Sequence, residues 1–404
     1  MLKIGIIREG KTPPDKRVPL TPEQCKSIQA EYGNQVELVV QTSPIRAFAD
    51  ADYKNAGISV VESMDDCDVI LGVKEVPLDM LVAGKTHLFF SHTIKEQPYN
   101  RKLLQTILEK KIRLIDYEVV TDKQGRRLIG FGRYAGIVGA YNGILAYGKK
   151  SQKFNLKPAH ECFDRKEMDG ELSKANLPSN FKIVLTGAGR VAGGAIETLE
   201  KAGVKKVSPD EILNQEFNEP VFAQLTVIDY NKKKDGSEAT RQEFFENPER
   251  FEANFTRFTK VADMFIPCHY WDADAPFILT QEDLKAADNR IKIVADISCD
   301  IAGPIASTIR PSTIAQPHYG YNPKTGEEMD FMDEDAIGVM AVDNLPCELP
   351  RDASQDFGAE LIKSVLPGLI GEDVDKIIER ATIAQDGALT EYFDYLEDYV
   401  NEKA

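Results

Sequence analysis

The chain of 404 residues is too long for one ordinary hydrophobic core, so we expect two or three domains, most simply two large ones. Its 42% hydrophobic and 28% charged residues are typical of a globular protein, and no stretch approaches the roughly 18 apolar residues of a membrane helix. The net charge of −16 would repel nucleic acid and anionic membranes. The composition therefore favours a small molecule as partner.

The six cysteines are scattered, without a C-x-x-C pair or a histidine at metal-ligand spacing. We therefore expect reduced thiols and no metal site. The start of the chain, "MLKIGIIREG", lacks the basic and long apolar regions of a signal peptide and is typical of a first strand. We therefore expect a cytoplasmic protein.

Short apolar runs alternate with helical patterns in the first third of the chain. A strand at residues 2–7 precedes a helix at 21–33, with Thr21 as N-cap, Pro22 as first helical residue and Gln24 completing a capping box. A helical pattern also lies in "NRKLLQTILEKK". Further strands are predicted in "VELVV", "CDVILGV", "HLFFS" and "IRLIDYE". This alternation indicates a doubly wound parallel sheet.

The pattern restarts near residue 181 and predicts a second α/β unit, with strands in "FKIVLTGAGR", "QLTVIDY", "ADMFIPC" and "IKIVADIS". A helix at 133–150 would connect the units, and two C-terminal helical patterns, at 357–370 and 373–403, would pack on the first. We predict two Rossmann-like domains with the active site in the cleft between them. The substrate domain would comprise residues 1–135 and 346–404, and the dinucleotide-binding domain residues 136–345.

A glycine-rich turn supports the assignment of residues 136–345 as the dinucleotide-binding domain. It has the G-x-G-x-x-A form of a dinucleotide-binding fingerprint, directly after an apolar strand and before a helix. Such a turn brings backbone N–H groups to a pyrophosphate at the positive end of a helix, whereas the alternative is an ordinary glycine-rich turn. The candidate cofactor-binding residues are Gly187, Gly189, Arg190, Val191 and Ala192.

The acidic residue that binds the adenosine ribose is expected about 20 residues further on, where the count falls in "SPDEI". We prefer Asp229, which closes an apolar run, and attribute the delay to an insertion at 205–223; Asp210 would instead begin a short helix. A carboxylate in this position binds the ribose hydroxyls and disfavours a 2′-phosphate, so we expect NAD instead of NADP. The lysines at 232–234 weaken this preference.

Titratable residues follow successive predicted strands. Lys74 and Glu75 follow one apolar run, His92 and Lys95 the next, and Glu118 a third. Ligands of open α/β sheets bind outside the carboxyl ends of the strands, so these residues are expected to line one crevice. Singly, each would be a solvated or structural residue; together, the cations would lower the pKa of a lysine base.

Two arginines provide planar forks that suit substrate carboxylates, Arg17 after the first strand and Arg127 in "KQGRRLIGFG". Each of them alone is more typical of the surface.

At these residues the sequence resembles the family of lysine-forming saccharopine dehydrogenase and the lysine-ketoglutarate reductase half of the bifunctional animal and plant enzyme. Alanine dehydrogenase is a more distant relative. The motifs "FFSHTIK" and "DNLPCELPR" are more specific to this branch than the glycine turn. Other matching stretches include "KRVPLTP", "GVKEVP", "GRRLIGFGRYAGIVGA" and "VADISCDIAG".

The resemblance implies that Lys74 and His92 form an acid–base pair and that Asp343 lies near the cofactor or the reacting centre. It also implies a substrate-binding set of Arg17, Glu75, Lys95, Glu118 and Arg127. The implied reaction is NAD-dependent oxidation of the CH–NH bond of saccharopine, reversibly giving lysine and 2-oxoglutarate. An alanine or other opine-type dehydrogenase, or an NAD-binding transhydrogenase-like subunit without chemistry, are the alternatives. Homo-oligomerisation stays open.

Overall fold

A computed structural model describes residues 1–402, so residues 403 and 404, the end of the predicted substrate domain, lie outside the described part. The chain divides into two compact units, Met1–Phe131 with Pro350–Ala404, and Gly132–Leu349. Each unit has its own sheet and its own core.

The strands are β1 (Leu2–Ile6), β2 (Val36–Gln41), β3 (Ser59–Val61), β4 (Val69–Leu71), β5 (Thr86–Phe89), β6 (Arg113–Asp116), β7 (Lys182–Thr186), β8 (Lys205–Val207), β9 (Val221–Leu225), β10 (Asn231–Lys233), β11 (Phe251–Ala253), β12 (Met264–Pro267), β13 (Ile293–Ala295), β14 (His318–Tyr321), β15 (Glu328–Met329), β16 (Ile337–Met340), β17 (Thr382–Gln385) and β18 (Ala388–Leu389).

The α-helices are α1 (Pro22–Tyr32), α2 (Asp50–Asn55), α3 (Pro98–Glu109), α4 (Gly132–Ser151), α5 (Arg165–Glu171), α6 (Arg190–Lys201), α7 (Pro209–Asn214), α8 (Val227–Tyr230), α9 (Arg241–Glu246), α10 (Thr256–Thr259), α11 (Gln281–Lys285), α12 (Pro350–Ser364), α13 (Leu366–Ile370), α14 (Ile377–Ala381) and α15 (Glu397–Val400). Short 3₁₀ turns lie at Thr93–Lys95, Tyr117–Val119, Ala159–Glu161, Leu172–Lys174, Pro248–Arg250, Leu345–Glu348 and Glu391–Leu396.

The first unit has one sheet in the order β18-β17-β6-β5-β4-β1-β2-β3. The strands from β6 to β3 are parallel, while β17 and β18 pair antiparallel at one edge. Apolar residues of β1, β2, β4 and β5 pack on the helices to either side of the sheet, with Ile4, Val40 and Leu88 fully buried. The predicted doubly wound fold is confirmed, with an antiparallel edge added.

The second unit repeats this plan in the order β15-β14-β16-β13-β12-β7-β9-β8. β14 is antiparallel to β16, and β15 to β14, while the other pairs are parallel. The segment at 205–223, predicted as an insertion, supplies the edge strand β8 and the helix α7. The neighbour of β7 is therefore β9, the later strand.

Of the helical pattern predicted at 373–403, the described residues form only the short α-helices α14 and α15, so the prediction was wrong between them. Residues 382–389 form the hairpin β17–β18, joined by Asp386 and Gly387 with φ of 54° and 86°. Asp-Gly suits a two-residue hairpin turn, in which both central residues have positive φ. That dipeptide, between the alternating "TIAQ" and "ALTEY", was the signal for the hairpin.

The helices predicted at 21–33 and 133–150 are confirmed as α1 and α4. In α1 the N–H of Gln24 donates to Oγ1 of Thr21 at 3.4 Å, and the N–H of Thr21 donates to Oε1 of Gln24 at 3.0 Å, completing the capping box. Helix α4 forms as predicted and crosses α6 closely. A Cβ on Gly194 of α6 would lie 1.9 Å from the carbonyl oxygen of Arg133, so glycine is what permits this crossing.

Candidate active site and dinucleotide pocket

Polar side chains gather at the carboxyl ends of four neighbouring strands of the first sheet. Glu9 follows β1, Lys74 and Glu75 follow β4, His92 follows β5, and Glu118 follows β6. The chain segments after β4 and β5 stay side by side, since the N–H of Phe90 donates to the carbonyl of Val73 at 3.0 Å. The structure thus brings the predicted Lys74 and His92 to adjacent strand ends.

Glu75 joins His92 to a second cation. Nδ1 of His92 lies 2.6 Å from Oε1 of Glu75, and Nζ of Lys11 lies 2.7 Å from Oε2. Burial raises the pKa of Glu75, but the hydrogen bonds from His92 and Lys11 outweigh it and bring the pKa to about 2. The ionised carboxylate can only accept, so Nδ1–H of His92 donates to it and the contact orients the imidazole ring.

His92 itself occupies a rarely populated conformation. Its φ of 54° and ψ of 13° are left-handed, and its ring stacks on Phe90 with centroids 6.4 Å apart. The turn aims the ring at Glu75.

Glu9, which the sequence reasoning missed, supports the segment that carries Lys74. Its carboxylate accepts the backbone N–H groups of Val73 at 2.7 Å and of Lys74 at 2.9 Å. Burial, with repulsion from Asp15 added, raises the pKa of Glu9 to about 7. The rule applied to the other residues, a titratable group just after a strand, would have found it in "IIREGK".

Glu118 pairs with two other predicted cations, Lys95 and Arg127. Its Oε1 lies 3.4 Å from Nζ of Lys95 and 3.1 Å from Nη2 of Arg127, and Nε of Arg127 donates to the backbone oxygen of Glu118 at 3.0 Å. Both cations keep about half of their side-chain surface exposed. This cluster offers positive charge that a substrate carboxylate can reach.

The expectation that Arg17 alone is typical of the surface was wrong. Its side chain is only 3% exposed, and Nε and Nη2 donate to the two carboxylate oxygens of Asp15 at 3.0 and 2.6 Å. The guanidinium also lies 4.2 Å from the ring centroid of Phe131. The planar fork of this guanidinium therefore already binds Asp15, a partner that the sequence reasoning did not name.

The glycine turn of the second unit has the predicted strand–turn–helix setting. β7 ends at Thr186, and α6 begins at Arg190 after Gly189 as N-cap. Gly187 has φ of 101°, and a Cβ there would lie 2.6 Å from the carbonyl oxygen of Cys268. A Cβ on Gly189 would meet nothing within 4 Å, so the turn is open toward a ligand. Ala192 is fully buried, as its role in helix–strand packing requires.

This turn forms one wall of a pocket of about 480 Å³. The other lining residues are Ala188, Arg190, Val191, Thr226, Val227, Tyr230, Arg241, Phe245, Cys268, His269 and Tyr270. The open backbone suits a pyrophosphate, and the aromatic rings suit a nucleobase. The pocket therefore fits a dinucleotide.

His269, which follows β12, is a pocket residue that the sequence reasoning missed. Its Nδ1 lies 2.6 Å from Oγ1 of Thr186, while Nε2 is buried without a hydrogen-bond partner among residues 1–402. Burial lowers the pKa of His269 to about 4, so the ring is neutral at pH 7. A buried polar atom needs a partner, and a bound ligand would supply one.

Asp229 does not lie where it was predicted. β9 ends at Leu225, and Asp229 belongs to α8, where its Oδ2 accepts both the N–H and the hydroxyl of Thr226 at 2.7 Å. Because Asp229 caps a helix and does not line the pocket, the reason for expecting NAD is lost. The pattern T-x-x-D in "TVID" was a capping-box signal that competed with the strand.

The remaining predictions concern Asp343 and the cysteines. Asp343 is exposed just after β16 and is not among the pocket residues. All six cysteines are free. Within residues 1–402 no three His, Cys, Asp or Glu side chains cluster as metal ligands would, and none of the helices there is both long and apolar enough to cross a bilayer.

Two solved structures share the fold of this chain. The structure resembles an L-alanine dehydrogenase with a TM-score of 0.66 and 17% identity, covering 100% of both chains. It also resembles a transhydrogenase from Sinorhizobium meliloti with a TM-score of 0.60 and 14% identity, covering 96% of this chain and 98% of the other. Residues 5–138 match the family described as alanine dehydrogenase/PNT, N-terminal domain.

Sequence comparisons identify relatives that match most of the chain. An alpha-aminoadipic semialdehyde synthase of Arabidopsis thaliana is 28% identical, covering 97% of this chain and 41% of the relative; the mitochondrial synthase of Mus musculus is also 28% identical, covering 98% and 47%. The chain thus spans less than half the length of these relatives. A saccharopine dehydrogenase [NAD(+), L-lysine-forming] of Schizosaccharomyces pombe is 27% identical, covering 89% and 91%.

The chain thus folds into two Rossmann-like units, each built on a mostly parallel sheet. Over most of its length it is similar in sequence to the lysine-forming saccharopine dehydrogenases and the alpha-aminoadipic semialdehyde synthases.

Proposed function

We propose that this protein is a pyridine-nucleotide-dependent dehydrogenase that converts saccharopine and water reversibly to lysine and 2-oxoglutarate. The observation that carries the proposal is the hydrogen-bonded pair of Glu75 and His92 beside Lys74, at the adjacent ends of β4 and β5. The homologues named for this reaction support the same substrate. The cytoplasm remains the expected compartment.

The first unit supplies the proton transfers. Lys74 accepts the proton of the secondary amine, and His92 removes a proton from the water that attacks the imine carbon and then protonates the leaving nitrogen of lysine. Glu75 stabilises the positive charge that His92 acquires when it takes a proton, and Glu9 fixes the backbone of Lys74. Both effects place the acid–base groups before the substrate arrives.

Substrate carboxylates require cations within reach. We assign this task to Arg127 and Lys95 around Glu118, with Arg17 held in place by Asp15. A substrate carboxylate at Arg17 would share a guanidinium that already binds Asp15.

The second unit holds the cofactor. Gly187, Gly189, Arg190 and Val191 would surround its pyrophosphate, while His269 offers its unpaired Nε2. When bound, the pyridine nucleotide supplies the hydride acceptor. Asp343 is kept as a proposed neighbour of the reacting centre, and the predicted division into a substrate domain and a dinucleotide-binding domain is part of the proposal.

The test adds reduced pyridine nucleotide to the purified protein with lysine and 2-oxoglutarate and follows its oxidation by the loss of absorbance. A parallel reaction contains pyruvate and ammonia. We expect turnover with lysine only, lost by at least about a hundredfold in His92→Ala and Lys74→Met, while nucleotide binding stays unchanged. Turnover with pyruvate and ammonia would instead assign an alanine dehydrogenase. Nucleotide binding without turnover on either pair would assign a non-catalytic subunit.

A further inference from the structure

One buried carboxylate links two polar groups of the first unit. Asp116 is the last residue of β6 and is fully buried. Its Oδ2 accepts the backbone N–H of Ser91 at 3.0 Å and also the hydroxyl of Ser91, and its Oδ1 accepts the backbone N–H of Glu118 at 2.7 Å. It forms no ion pair within residues 1–402. Three donors that converge on its two oxygens satisfy the carboxylate instead.

The bonds to Ser91 fix the chain on both sides of His92. Ser91 and Thr93 are also fully buried. Oγ of Ser91 accepts the backbone N–H of Thr93 at 3.2 Å and lies 2.8 Å from Oγ1 of Thr93. A hydroxyl has one proton, and that of Ser91 goes to Asp116, so the hydroxyl of Thr93 donates to Ser91. The residues before and after His92 are thereby tied to one carboxylate, which holds the left-handed backbone of His92.

The bond to Glu118 fixes the cationic cluster. It caps the short 3₁₀ turn at Tyr117–Val119, and the carboxylate of Glu118 holds Lys95 at 3.4 Å and Arg127 at 3.1 Å. β5 and β6 are neighbouring parallel strands, so a side chain at the end of β6 reaches both polar groups. The cap is a contact within the turn, whereas the bonds to the end of β5 join residues 25 positions apart.

We propose that Asp116 is a positioning residue of the active site, which holds the ring of His92 against Glu75 through Ser91 and holds Glu118 with its two cations directly. The proposal rests on the dehydrogenase function proposed above. A fully buried side chain of this kind acts through geometry, so its loss displaces the acid–base histidine and the carboxylate anchors without removing either. A displacement of about 1 Å at such groups can cost about a hundredfold in rate.

Two variants separate the two arms in steady-state kinetics. Ser91→Ala removes the hydroxyl links to Asp116 and Thr93 but leaves the cap of Glu118, so kcat should fall by about tenfold while KM for 2-oxoglutarate stays within about twofold. Asp116→Asn keeps the shape but offers one acceptor oxygen for both arms. It should lower kcat by at least about tenfold and raise KM for 2-oxoglutarate by about fivefold, because Glu118 is displaced as well.

Asp263→Asn is the matched control. Burial raises the pKa of this carboxylate too, and it also accepts a backbone N–H, that of Lys182 at 2.9 Å. Asp263 lies directly before β12, at the amino ends of the strands of the second sheet. Its replacement should lower the melting temperature but change neither kcat nor KM.

The hydrogen bond between His92 and Glu75 gives a readout without turnover. In the full chain with isotope-labelled histidine, the nuclear magnetic resonance signal of the Nδ1–H proton of His92 is identified by its loss in His92→Ala. Ser91→Ala should move this signal upfield or broaden it by faster exchange with water, because a displaced ring makes a longer hydrogen bond. This measurement also decides the proposal if Asp116→Asn does not fold.

Wild-type kcat and an unchanged His92 signal in Ser91→Ala would overturn the proposal, even with a lower melting temperature. An unchanged KM in Asp116→Asn would overturn the role toward Glu118, and equal kinetic changes in Asp263→Asn would reduce both effects to general stability. None of these results contradicts the proposed function if the wild type turns over lysine and 2-oxoglutarate. Without that turnover the proposed function fails, and the His92 signal in Ser91→Ala still decides the positioning role.

Discussion

Nδ1 of His92 lies 2.6 Å from Oε1 of Glu75, whose other oxygen holds Lys11. Glu75→Gln removes the carboxylate that orients the imidazole of His92, so kcat should fall by about tenfold in steady-state kinetics while nucleotide affinity stays unchanged. Glu37→Gln, which removes an exposed carboxylate paired with Lys3, is the control and should leave kcat unchanged. An unchanged kcat in Glu75→Gln would show that the pair is only structural.

The carboxylate-anchor role of Arg127 can be separated from general surface charge. Arg127→Ala should raise KM for 2-oxoglutarate by about tenfold, with cofactor affinity unchanged, because a charged contact to a carboxylate contributes about 1.5 to 3 kcal/mol. The neighbouring Arg126, highly exposed and paired with Asp122, offers a matched control in Arg126→Ala. If both variants behave alike in steady-state kinetics, Arg127 does not touch the substrate.

Glu9 should make the first unit sensitive to pH. Its folded pKa of about 7 lies above the ordinary 4.5, so the folded state favours the protonated form and loses stability as the pH rises from 4.5 to 7. Glu9→Gln removes this loss. The difference in free energy of unfolding, Glu9→Gln minus wild type, should therefore grow by about 2 kcal/mol between pH 5 and pH 8 in urea titrations. A constant difference would contradict the raised pKa.

The crossing of α4 and α6 depends on Gly194. Gly194→Ala places a methyl group against the carbonyl oxygen of Arg133, so the free energy of unfolding of the second unit should fall by about 3 kcal/mol. The adjacent Gly193 is the control, because a Cβ there meets nothing within 4 Å. Gly193→Ala should be neutral or stabilising by about 0.5 kcal/mol in thermal or urea unfolding. Equal effects of the two changes would mean that the helices can move apart.

Much of the site follows from local sequence. The glycine turn between β7 and α6, and the charged residues after β4, β5 and β6, are where the pattern predicted them. Each depends on chain neighbours alone, through strand periodicity, turn chemistry and helix capping. The prediction that Asp229 ends a strand was wrong for a local reason too. The segment from Thr226 to Asp229 could either end a strand or cap a helix, and the apolar periodicity favoured the strand.

The partners of these residues depend on contacts distant in sequence. Lys11 and His92 meet on Glu75 because β1, β4 and β5 are neighbours in the sheet, and the guanidinium of Arg17 is covered by the distant ring of Phe131. The two α/β units, the glycine turn and most acid–base candidates could be predicted from the chain alone, because strand and turn propensities act within a few residues. Which carboxylate holds which cation, and which side chains line the pocket beside the glycine turn, depended on the folded structure, because electrostatic and packing energies depend on distances in space.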